Sequence, residues 1–115
     1  MRDLTVIVQA ENSELLAQIH DGLIEARKEI MAKTGLRSLS FLRGDLSFCV
    51  QTLQQKREYP VLVILQQNTY SQANGLSAVK DAGADDVYSY ASSIASEVVH
   101  RIKICVYSYL HNKSA

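Results

Sequence analysis

The sequence predicts an open α/β fold, a small parallel sheet of about four to five strands flanked by helices on both faces. Three observations carry this. Apolar strand-like runs alternate with amphipathic stretches four times along the chain, and parallel strands require crossover connections, usually helical. The strand runs are nearly continuous in Val, Ile and Leu rather than alternating with polar residues, the pattern of strands buried on both faces. The chain has 115 residues, 47% of them hydrophobic and 21% charged. That is the size and balance of one globular domain, residues 1–115, and unlike a disordered chain or a disulfide scaffold.

The elements follow in order. Leu4 to Val8 is the first strand, ended by polar Gln9 to Asn12. Asn12 or Ser13 caps a helix in which Leu16, Ile19, Leu23 and Ile30 recur at helical spacing as far as Lys33, and Gly35 stops it. Leu39 to Leu42 is a second strand, and Asp45 after Arg43-Gly44 caps a helix to about Glu58 with Leu46, Cys49, Val50 and Leu53 as its apolar stripe. Pro60, the single proline, enters the strand Val61 to Leu65, where a first-position proline costs no ladder bond. This is the most hydrophobic strand and is expected at the centre. Gln66 to Asn74 is a polar loop or frayed helix start, followed by a short helix with Leu76, Val79 and Ala82 that Gly83 closes. Val87 to Tyr90 is the last strand, with its tyrosines on one face, and Ser92 or Ser93 caps a final helix to about Leu110.

Several classes of function are disfavoured. Twelve Lys and Arg balance twelve Asp and Glu, which removes the bulk attraction to phosphate backbones, so nucleic acid is not the expected partner. Cys49 and Cys105 have no C-x-x-C spacing and lie within amphipathic stretches, as buried small hydrophobes do. No apolar run is long enough to span a bilayer, and Met1-Arg2-Asp3 runs into a strand without a signal-peptide pattern; a soluble, reducing, cytoplasmic setting is expected. There is no G-x-S-x-G, G-x-G-x-x-G or G-x-x-x-x-G-K-[ST], and His20, His100 and His111 fall in helices without metal-ligand spacing.

Open parallel sheets place functional groups at the carboxyl ends of their strands. Here those ends carry Gln9-Ala10-Glu11, Arg43-Gly44-Asp45, Gln66-Gln67-Asn68 and Tyr90-Ala91. A phosphoryl-accepting carboxylate needs two or three acidic donors around Mg²⁺ and a cation for the transferring group. Glu11 and Asp45 are the acids near these ends, while Gln66, Gln67 and Asn68 are neutral amides. No metal, cofactor or catalytic group is expected.

Ala82-Gly83-Ala84-Asp85-Asp86-Val87-Tyr88, preceded by Pro60-Val61-Leu62-Val63-Ile64-Leu65, resembles the receiver domain of two-component response regulators. The likeness runs from Pro60 to Leu110, about half the chain, with Val6-Ile7-Val8 in support. It implies a receiver or flavodoxin-like fold with one βα unit shortened or missing, since Lys33 to Pro60 is too short for the family's elements. It also implies a degenerate pocket. The family's paired acids are matched by Gln9 and Ala10, with Glu11 alone acidic; its switch Ser/Thr by Gln66; its Lys-Pro by Tyr90-Ala91. The acceptor aspartate is matched by Arg43 if Leu39 to Leu42 is the third strand, or by Gln66 if Val61 to Leu65 is. Tyr90 is placed to fill the emptied acidic pocket.

The final helix carries one apolar stripe through Ile94, Val98, Ile102, Cys105 and Tyr109 and a second set, Ala95, Val99, Val106 and Leu110 with Ile104. Tyr88, Tyr90 and Tyr107 lie beside them. So broad a surface marks either an interface or the wide buried stripe of a helix that flanks a sheet; the interface reading is assigned to Tyr88, Tyr90, Val99, Ile104, Val106, Tyr107 and Leu110 and is expected to make a homodimer, and the resemblance implies the same region. Seven Lys and Arg between Arg27 and Arg57 face two acids, whereas the first 26 residues carry five acids and one arginine; Arg37 and Arg43 are candidates for an anionic ligand or acidic partner. The expected function is a non-catalytic pseudo-receiver that signals by protein contact, independent of phosphorylation. The alternatives are a small-ligand or nucleotide sensor using Arg43 and Tyr90, and the regulatory domain of a transcription regulator.

Overall fold

The computed structural model describes residues 3–114, without the side chains of Ala73 and Ser114. β1 (Asp3–Gln9), β2 (Ser38–Gly44), β3 (Val61–Gln66) and β4 (Asp86–Tyr90) form one parallel sheet in the order β2-β1-β3-β4. This is the flavodoxin-like order without a fifth strand. α1 (Ser13–Thr34) and α5 (Ala95–Ser114) cover one face; α2 (Leu46–Gln54) and α4 (Ala73–Asp81) cover the other, with the short α3 (Gln67–Ser71) at the carboxyl end.

Strand alternation explains the two cores. Leu4, Val6 and Val8 point with Leu62 and Ile64 towards α1 and α5, whereas Ile7 points with Val61, Val63 and Leu65 towards α2 and α4. Val61 to Leu65 are all at most 3% exposed, as a strand between two neighbours and two helix layers must be. Each such Val, Leu or Ile is worth about 1.5–3 kcal/mol relative to an exposed one.

The helix ends obey local chemistry. The Asn12 side chain accepts the Leu15 N–H at 3.0 Å, and Gly35, at φ 74°, gives its N–H to the Met31 carbonyl. Asp45 accepts the Phe48 N–H at 2.9 Å to start α2. α2 ends at Gln54 rather than near Glu58. After Leu53 no further residue continues its apolar stripe, and the chain must be extended before Pro60.

The segment read as a loop or frayed start is instead α3, a sharp break at Gln72, then α4. The two helices meet closely at Gly75, where a β-carbon would lie 1.9 Å from the Thr69 carbonyl oxygen. α5 begins at Ala95 and extends to Ser114, later and longer than the sequence suggests. Its first turn is held by the Ser92 hydroxyl, which accepts the Ile94 N–H and donates to Glu97, each at 3.0 Å.

Candidate functional site: the carboxyl ends of the strands

The chain reverses direction across the sheet between β1 and β3, because β2 lies to one side of β1 and β3 to the other. The crevice at their carboxyl ends is where such sheets place ligands. Gln9 and Gln66 meet there. Gln9 is fully buried, and its Oε1 accepts the Gln66 backbone N–H at 3.0 Å. The Gln66 Oε1 in turn accepts the Glu11 backbone N–H at 3.0 Å. From β4, Tyr90 reaches over β3 and donates its hydroxyl to the Gln9 carbonyl at 2.7 Å.

Tyr90 is only 3% exposed, and burial pushes its phenol pKa upwards, so it stays a neutral donor. Ala10 is buried beside Gln9, its N–H bonded to the Gly44 carbonyl. Glu11 is exposed above them. Two side-chain amides and a phenol are thereby tied to backbone groups at the strand ends. The Gln9 Nε2 is the exception, buried without a hydrogen-bond partner. Among the described residues, no three of His, Cys, Asp and Glu are grouped to hold a metal ion.

Arg43 does not join this group. Arg43 is exposed on β2, the edge strand outside β1, where it pairs with Val8. On the other side of β1 lies β3 (Val61–Gln66), with Gln66 at its carboxyl end. Tyr90 ends the fourth strand and not a fifth. Arg37, the other candidate for an anionic ligand, gives its Nη2 to Asp3 at 2.8 Å. Arg57 is engaged with the Leu53 and Gly83 carbonyls and with Asp85, whose carboxylate also accepts the Val61 N–H at 2.7 Å. The basic run is thus partly spent on joining strand ends.

The interface residues divide. Val106 (0% exposed) and Tyr90 (3%) belong to the α1–α5 core and cannot be surface contacts, a correction with a simple cause: α5 buries two adjacent stripes because it packs on the sheet and on α1 together. Tyr88, Val99, Tyr107 and Leu110 are partly buried at the edge of that core, and Ile104 stands exposed on the outer side of α5. Asp21, Glu25 and Lys33 of α1 and Lys103 of α5 border the α1–α5 groove; Asp21 and Glu25 stand four residues apart, but which face of α1 meets α5 is not legible in the sequence.

Cys49 and Cys105 are free and buried, on opposite faces of the sheet. Burial, with the nearby Asp45 carboxylate, pushes the Cys49 thiol from 9.0 up to about 12. The thiolate is the reactive form, so neither thiol is expected to react with a disulfide reagent at pH 8 until urea unfolds the protein. Rapid labelling of the native protein would show a thiol at the surface. A raised thiol pKa binds the proton more tightly in the folded state. That stabilisation is complete below pH 9.0 and is lost progressively as the pH rises towards about 12, so unfolding midpoints should fall across this window.

Comparison with protein-family models, curated proteins and solved structures finds no match. No helix among the described residues is long and apolar enough to cross a membrane.

Proposed function

We propose that the chain is a non-catalytic signal-transduction module of pseudo-receiver type, working in the cytoplasm through protein contact. The observation that carries this reading is the residue set at the strand ends: the Tyr90 hydroxyl bonded to the Gln9 carbonyl, the Gln9 side chain to the Gln66 backbone, and the Gln66 side chain to the Glu11 backbone. A phosphoryl-accepting site needs an aspartate with further acidic oxygens around a divalent ion, and amides and a buried phenol occupy the strand ends where those would stand. The resemblance over Pro60 to Leu110 and the flavodoxin-like strand order support the same reading. The two buried free thiols suit a reducing compartment.

The test is the amide spectrum of the protein with acetyl phosphate or beryllofluoride and Mg²⁺. Backbone shifts are expected to be unchanged. A magnesium-dependent shift centred on Glu11 would overturn the reading.

A second reading, a small-ligand sensor, has one observation in its favour. Two hollows of about 390 Å³ and 500 Å³ flank Tyr90 and Ala91 at the ends of β3 and β4, lined also by Gln67, Asn68 and Arg101. Calorimetric titration with a panel of metabolites and cyclic dinucleotides separates the two readings, since a contact module gives no heat of binding.

A further inference from the structure

The sheet ends at β2 on one side and β4 on the other, and a long helix reaches each edge. The Pro60 carbonyl accepts the Thr5 N–H of β1, and the Val61 carbonyl accepts the Asp85 N–H beside β4. Val61, Val63 and Leu65 therefore turn their peptide groups towards β4. In a parallel pair a residue that bonds across stands opposite one whose peptide groups point away. Val87 stands opposite Val63, and Ser89 opposite Leu65, so these two carry the outward backbone groups of β4. The outward Val87 N–H goes to the Asp86 Oδ1 at 2.9 Å, and the outward Ser89 carbonyl accepts the Arg101 Nε–H at 3.0 Å. β2 is treated alike. Its Gly44 carbonyl accepts from Ala10 of β1, so Phe41, three residues earlier, faces out, and its carbonyl accepts the His20 Nε2–H of α1 at 3.1 Å.

We propose that Asp86 and Arg101 are edge guards that keep this sheet at four strands, closing β4 to a strand from any other chain. The edge needs them. Val87-Tyr88-Ser89-Tyr90 is β-branched and aromatic without a charge, the composition of a segment that pairs readily when its edge is open. Space for an approach exists, because a hollow of about 390 Å³ lies against Ser89 and Arg101. A fifth strand would run about 4.8 Å from β4, through the place held by the guanidinium on Ser89. It would have to break the bonds at both ends of the edge and displace the Arg101 charge or bury it, and burying an unpaired charge is costly. A strand is read through its backbone, whatever its side chains, so a guard on backbone groups excludes strand partners as a class. The contacts of this module are then made by side chains on its helices and loops and not by strand addition.

The test is sedimentation of the full chain carrying Asp86→Ala and Arg101→Ala together, with hydrogen exchange followed amide by amide. The pair removes one charge of each sign, so the net charge stays as it is and cannot cause association. The double variant is expected to self-associate at least about tenfold more tightly than the wild type, with slower exchange at the Ser89 amide in the associated state. A double variant that sediments as the wild type does overturns the proposal. So does association that leaves Ser89 exchange unchanged, which puts the contact away from β4. A wild type whose Ser89 amide slows with rising protein concentration overturns it as well, since the edge then accepts a strand with both guards in place. Arg101 is exposed, so Arg101→Ala alone carries the same two readouts, with the same expected direction, where circular dichroism finds the double variant unfolded. The magnesium response near Glu11 is a separate measurement, and neither result changes the other.

Discussion

Val106→Asp is expected to destabilise the protein by more than about 4 kcal/mol at neutral pH, a large part of its stability. Val106 has no exposed surface and packs in the core shared by the sheet, α1 and α5, with Val98, Ile102, Cys105 and Tyr109 in the same cluster. Losing the valine forfeits about 1.5–3 kcal/mol of burial. The aspartate must then ionise without a partner or take up a proton at a pH well above its ordinary value of about 3.9. Together these exceed about 4 kcal/mol, against a whole-domain stability of about 5–15 kcal/mol. The sign with pH follows from the raised carboxyl: the electrostatic part of the penalty vanishes below about pH 4, where folded and unfolded chains both hold the proton. Thermal melts followed by circular dichroism are the measurement. A cooperative melt at the wild-type midpoint would place Val106 at a surface. Such a result would reinstate the second stripe of α5 as an interface.

Val106 also marks where the sequence stops being legible. Periodicity located the four strands and the long helices because each buried face repeats at a fixed interval, and caps such as Asn12, Asp45 and Gly35 are local chemistry. It could not say how wide a helix's buried face is, since that depends on which neighbour it meets, and α5 meets two. Sheet order is equally invisible in a strand's own residues. The run Leu39 to Leu42 reads much like any strand beside β1, and only the crossover of β3 to the far side of β1 moved Arg43 out of the candidate site and left Gln66 in it. The site's residue types were legible at the strand ends. Their mutual hydrogen bonds were not, because Gln9, Gln66 and Tyr90 are joined across 57 and 81 positions of chain.

Those long-range bonds give Tyr90→Ala the other large expected effect. The ring lies in the α1–α5 core and its hydroxyl ends on the Gln9 carbonyl at 2.7 Å. Truncation leaves a cavity where an aromatic ring was, about 3–5 kcal/mol for a buried ring of this kind, and strips the Gln9 carbonyl of a donor. Tyr90→Phe separates the two contributions, keeping the packing and removing the hydroxyl, at about 1–2 kcal/mol. Urea unfolding with an unchanged slope is the readout. A phenylalanine variant as stable as the wild type would mean that the hydroxyl bond contributes nothing to tying the strand ends together. The alanine variant has a second use. It removes the ring at the strand ends without adding a carboxylate, so if Tyr90 alone kept magnesium out, this variant should gain a magnesium-dependent amide shift near Glu11. With Gln9 and Gln66 supplying only amides beside the single acid Glu11, no such shift is expected.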